Sequence, residues 1–159
     1  MIKDNLLQIN ERIRRSALNC GRDPNTVKLV CVSKTIPPNG VKDAIDAGAT
    51  LFGENYIQEA RDKIEFLGSE SVFWHFIGHL QSNKAKYAVR LFDLIHSVDS
   101  FKLAKEIDKQ ARKNQKVQSV LIQVNIAEEV SKSGVTEEDA PHLVRQISHL
   151  PNISIRGLM

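Results

Sequence analysis

Lys28-Leu29-Val30-Cys31-Val32-Ser33-Lys34-Thr35 is an apolar, partly β-branched run that ends in a lysine. It reads as the first strand of a packed sheet, with Lys34 at its carboxyl end. In parallel α/β folds the loops at that end converge on one crevice, while the opposite end only reverses the chain. Lys34 is therefore expected at the rim of the sheet and partly desolvated. There the charged form is disfavoured and a neutral amine can attack a carbonyl, so Schiff-base formation is the natural use of the group. The competing reading is a strand-end lysine whose stem lies on apolar surface while its ammonium reaches water.

Outward from this strand the chain alternates. Strand signals begin near Val27, Thr50, Val72, Leu91, Val117 and Ile153, with helical stretches between them. A recurrence of roughly twenty or more residues fits successive βαβ units, so the sheet is expected to be parallel. Residues 4–20 place Leu6, Ile9, Ile13 and Ala17 at spacings of three and four, an amphipathic helix across the outside of the domain. Ser100 is a good N-cap for a helix whose apolar stripe is Leu103, Ala104, Ile107 and Ala111. Thr136-Glu137-Glu138-Asp139 supplies the acidic first turn of a later helix.

The fold class is α/β, of (β/α)8 TIM-barrel type, with about six βα units in one domain over residues 1–159. A closed barrel typically needs ~200 residues or more. The apolar ending Ile155-Arg156-Gly157-Leu158-Met159 favours a barrel lacking its last two units over an open doubly wound sheet. Such a chain is expected to expose the edges of its first and sixth strands, and so to be a fragment or to associate.

Composition narrows the functional classes. The two cysteines, Cys20 and Cys31, read as reduced, buried thiols of an intracellular protein. No segment resembles a signal peptide or approaches the ~20 apolar residues of a membrane span, so the protein is expected to be soluble and cytoplasmic. The net charge of +3 is spread along helices with no clustered basic stripe, and nucleic-acid binding ranks last.

Further constellations fall at strand ends. In Phe52-Gly53-Glu54-Asn55-Tyr56-Ile57-Gln58-Glu59, Gly53 gives a turn its freedom and Glu54 and Asn55 open a helix. Asn55 either faces a ligand or caps that helix. In Trp74-His75-Phe76-Ile77-Gly78-His79-Leu80-Gln81-Ser82-Asn83-Lys84, alternation puts His75 and Ile77 on one sheet face and Trp74 and Phe76 on the other. His75 and His79 are four apart, but Gly78 ends the strand and no helical zinc pattern follows, so no metal is expected. The stretch 123–134 reads as a rim loop with Gly134 in a turn and Lys132 as a surface lysine or an anion contact. No nucleophile elbow, Walker loop or Gly-x-Gly-x-x-Gly fingerprint is present.

Taken in order, Val32-Ser33-Lys34-Thr35, the two stretches just quoted, Val124-Asn125 with Glu129, Lys132 and Gly134, and Arg156-Gly157-Leu158-Met159 closely resemble the pyridoxal phosphate homeostasis protein family. The resemblance implies a barrel like the amino-terminal domain of alanine racemase. It implies that Lys34 holds pyridoxal 5'-phosphate as a Schiff base and that Asn55 lies beside the cofactor. It further implies a carrier and regulator of vitamin B6 without catalytic turnover, with pyridoxal phosphate-dependent apoenzymes as partners. In the family two further βα units follow and supply phosphate-binding loops. The alternative is an amino-acid racemase-like enzyme using the same linkage as an electron sink. A racemase needs a second acid or base on the opposite cofactor face, which this chain has no additional domain to supply.

Overall fold

A computed structural model describes residues 1–68, 72–127, 129 and 131–159. Helix α1 (Ile2–Asn19) leads into strand β1 (Cys31–Val32), followed by α2 (Pro38–Asp46), β2 (Leu51–Glu54), α3 (Ile57–Leu67), β3 (Phe73–Phe76) and α4 (Ala85–Leu91). The chain continues through β4 (Leu94–Val98), α5 (Phe101–Lys113), β5 (Gln118–Ile122), α6 (Ala140–Ile147) and β6 (Ile153–Leu158). The six strands are all parallel and lie in the order of the sequence. Consecutive parallel neighbours joined by helical crossovers are the arrangement of a (β/α)8-type barrel, here with six of its strands.

The core lies between the sheet and the helices. Phe52, Trp74, Phe76, Ile95, Val120 and Ile122 point from the strands into this layer and are buried. They meet Val41 of α2, Ala60 of α3, Ala88 and Val89 of α4, Ile107 of α5 and Ile147 of α6. Small residues on the helices let them approach, and aromatic pairs fill the gaps: Phe52 and Trp74 at 5.4 Å between ring centroids, Phe76 and Phe92 at 5.2 Å. Ser100 caps α5 by accepting the Leu103 N–H at 3.4 Å, and Leu103, Ala104, Ile107 and Ala111 form its buried face.

Four expectations need correction. Strand β1 pairs only at Cys31 and Val32, not from Val27, because its ladder with β2 begins at Cys31 opposite Phe52. Leu91 ends α4 instead of opening β4, since Ala85, Ala88 and Val89 bury a helical face and Phe92 then turns in to pack edge-to-face with Phe76. Helix α6 starts four residues after Thr136: Thr136 and Asp139 bond each other across a separate turn, and Pro141 sits in the first turn of the helix. Cys20 is exposed at the end of α1 and only Cys31 is part-buried; burial raises the Cys31 thiol above its ordinary range, which keeps it protonated and unreactive. No described helix is long and apolar enough to cross a membrane.

Candidate functional site

Alternation divides the strands cleanly. Ser33, just beyond β1, is buried on the helix side, so Val32 faces the opposite, concave side, and Lys34 follows in the turn after the strand. On the next strand Gly53 pairs with Val32, and beyond it His75 and Leu94 continue the same row. Gly53 is a strand residue whose value is space and not turn freedom: a Cβ there would stand 2.9 Å from a Val30 methyl and 3.1 Å from the Ile77 side chain.

Lys34 stands at the carboxyl end of the sheet, as the sequence indicates, but it is exposed where partial desolvation was expected. The reason lies in its neighbours. Val32, two residues before it on the concave face, is 51% exposed, so nothing in the described chain covers that side of β1. Asn55 directly follows β2, and Lys34 lies two residues past the end of β1, so both sit in connections at the carboxyl end of the sheet.

Asn55 also lines a cavity of about 590 Å³ between the start of α3 and the β3–α4 connection, with Arg61, His79, Gln81, Lys84 and Tyr87. Lys34 is not among its walls, so this space is not centred on the amine. Gly78 presses against Asn55 there. A Cβ at Gly78 would overlap the Asn55 carbonyl oxygen and come within 2.7 Å of its Cα, so the β3 loop braces the Asn55 backbone only because it carries glycine. The helix-capping alternative fails in detail, because α3 begins at Ile57 with Tyr56 as its cap. Glu54, expected at the helix start, is instead a fully buried residue of β2.

The loop after β5 touches the β3–α4 connection through Ser133 and His79. Within the stretch 123–134, Glu128 and Val130 lie outside the described residues. Gln123 Nε2 donates to the Ser133 carbonyl at 2.9 Å, and Asn125 Nδ2 donates to the Glu129 and Lys132 carbonyls at 2.9 and 3.4 Å. Gly134 takes φ +130°, as its turn requires. Lys132 is exposed, with its backbone carbonyl engaged by Asn125. Ser133 Oγ lies 3.0 Å from His79 Nδ1, and Asp99 Oδ2 lies 4.0 Å from the same nitrogen. A hydrolytic relay needs the serine on one ring nitrogen and the carboxylate on the other. Both lie on the Nδ1 side here, the carboxylate beyond hydrogen-bond distance, so the trio is not such a relay, and it is the Ser133–His79 contact that joins two loops.

Two clusters escaped the sequence. His75 and His96 meet on the concave face with Nδ1 and Nε2 2.9 Å apart. Burial, then the neighbouring His75, holds His96 down at about 4, and burial also lowers His75 against the opposing pull of Asp93. Among the described residues no group of three or more His, Cys, Asp or Glu side chains is arranged to hold a metal. The second cluster is ionic and lies behind Lys34. Lys63 Nζ donates to Glu54 Oε1 and to the Ser33 carbonyl, both at 2.6 Å, and Ser33 Oγ donates to the same Glu54 oxygen at 2.6 Å. Its one sequence signal was Lys63 itself, a charge three residues after buried Ala60 on the apolar side of α3.

Comparisons with known proteins speak to the family and the fold. The family model described as alanine racemase, N-terminal domain, matches residues 5–159. The chain is similar to a pyridoxal phosphate homeostasis protein of Vibrio alginolyticus, with 43% identity over 99% of this chain and 70% of that one. Among solved structures, an unknown protein from Bifidobacterium adolescentis superposes with a TM-score of 0.90 at 34% identity, covering 99% of this chain and 68% of the other. PipY of Synechococcus elongatus, solved with PLP bound, gives a TM-score of 0.81 at 36% identity, covering 100% and 69%.

Proposed function

Because the chain belongs to the pyridoxal phosphate homeostasis protein family, we propose that it holds pyridoxal 5'-phosphate covalently on Lys34, with Asn55 beside the cofactor, and carries it without turnover. The observation that bears most weight is the position of Lys34. It is an exposed primary amine in the turn that follows β1, at the carboxyl end of the sheet, with Asn55 in the connection after the neighbouring β2. That donor set fits the ring end of the cofactor. The amine condenses with the aldehyde, and an amide both donates and accepts hydrogen bonds to ring substituents.

A carrier needs reversible capture and little else. The exposed setting of Lys34 suits exchange with solvent and with an acceptor protein, and pyridoxal phosphate-dependent apoenzymes are the recipients this reading names. A racemase would need a second group poised to move a proton on the far face of the cofactor. Ser133 and Asp99 both approach Nδ1 of His79, so that trio is not arranged as a proton relay. Residues 1–159 act in this proposal as one cofactor-binding unit, in a cytoplasmic setting where unpaired cysteines persist.

The test is a spectral titration of the chain and of Lys34→Ala with pyridoxal phosphate, followed by an assay for racemisation of a panel of amino acids. Imine absorbance that depends on Lys34, with no racemisation, supports the proposal. Saturable turnover of any amino acid contradicts the carrier role.

A further inference from the structure

Ser33 to Ile36 form a β-turn with Lys34 at its second position, closed by the Ile36 N–H donating to the Ser33 carbonyl at 3.0 Å. Thr35, at the third position, has φ +63°, whereas Lys34 keeps a negative φ. That sign pattern belongs to a type II turn, whose third position favours glycine. A β-branched residue persists in the left-handed region only where its surroundings hold it.

The surroundings here are specific. Glu59 Oε2 accepts the Thr35 N–H at 3.0 Å and stands 3.6 Å from Lys63 Nζ, the two side chains being one turn apart on α3. Lys63 in turn holds the Ser33 carbonyl, and Glu54 holds the Ser33 hydroxyl. Both residues flanking Lys34 are thus fixed from α3 and β2, and none of these contacts uses the Lys34 side chain.

The geometry points to Glu59, braced by Lys63, as a positioning residue that holds the strained turn so that the Lys34 amine meets an incoming aldehyde in one orientation. The inference rests on the proposed cofactor role of Lys34. In that step the neutral amine nitrogen adds to the aldehyde carbon of pyridoxal phosphate. The carbonyl oxygen then leaves as water, taking both amine protons as the C=N bond forms. A turn free to relax spreads the amine over many directions and weakens that condensation. Glu59 is the informative position because its side chain is 36% exposed, whereas that of Glu54 is fully buried.

The experiment compares the unaltered chain, Glu59→Ala, Thr35→Gly and the double variant, each titrated with pyridoxal phosphate. Imine absorbance and borohydride-trapped label on Lys34 are read beside circular dichroism. Glu59→Ala is expected to lower the equilibrium constant for imine formation roughly tenfold with the dichroism unchanged. Thr35→Gly in the same chain is expected to restore it to within about twofold, because glycine adopts the turn without being held. Should Glu59→Ala lose its fold, Glu59→Asp, which keeps the charge but shortens the reach, is read in its place against the same glycine rescue. Equal imine formation in the Glu59 variant and the unaltered chain overturns the inference, and so does a loss that glycine does not rescue. Failure of the unaltered chain to form any imine refutes the cofactor role itself, a distinct outcome.

Discussion

Replacing Lys63 with methionine strands the Glu54 carboxylate in the core. The native pair is almost wholly enclosed, with side-chain exposures of 4% and 0% at a separation of 2.6 Å. Glu54 Oε2 already has no hydrogen-bond partner among the described residues, so Lys63 and Ser33 provide the compensation for its charge. Removing one member of such a pair costs about 3–5 kcal/mol, since the remaining charge stays buried and unpaired. Methionine keeps the length of the stem, so packing contributes little of the loss. For a chain of this size, each kcal/mol lowers the thermal midpoint by roughly 2–4 °C, giving a fall of roughly 6–20 °C. Thermal and urea unfolding followed by circular dichroism at pH 7 measure it. A deficit below about 1 kcal/mol refutes this account of the network.

Two further perturbations address other parts of the site. His96 is neutral in the fold, with its value held at about 4, but in the unfolded chain it protonates below 6.5. Its contribution is therefore complete above pH 6.5 and is lost as pH falls toward 4. The loss is roughly 2 kcal/mol once the full shift is discounted for partial exposure. Urea unfolding across that window should show a slope that His96→Gln flattens, and parallel curves would contradict the assignment. Gly78→Ala forces a Cβ against the Asn55 backbone. It should cost about 1–3 kcal/mol and weaken cofactor capture through displacement of Asn55, read by thermal unfolding and spectral titration. An unchanged midpoint with unchanged capture would show that the loops can part freely.

Much of the architecture was written in local patterns. Alternation in Trp74-His75-Phe76-Ile77 assigned both faces of β3 correctly, because period-two burial needs no knowledge of the partner strand. Ser100 announced α5 through cap chemistry and a stripe at helical spacing. The position of Lys34 at a strand end followed from the same logic, but its exposure did not. Burial at an edge depends on what lies beside it, and Val32 reads as core in sequence yet is half exposed in space. The Glu54–Lys63 pair was hidden for a related reason. Glu54 sits among polar residues in Glu54-Asn55-Tyr56, which resembles a helix start, and only the β2–α3 crossing reveals that it is buried against Lys63 and Ser33. The His75–His96 contact depends on the β3–β4 register, which neither strand carries alone.

The central claim is that one amine, Lys34, captures the aldehyde of pyridoxal phosphate. The direct measurement is to load the chain with pyridoxal phosphate, reduce it with borohydride and map the modified peptide by mass spectrometry, alongside Lys34→Ala. The account predicts a single pyridoxyl group on Lys34 that disappears in the variant. An unlabelled chain, or equal labelling after Lys34 is removed, contradicts it.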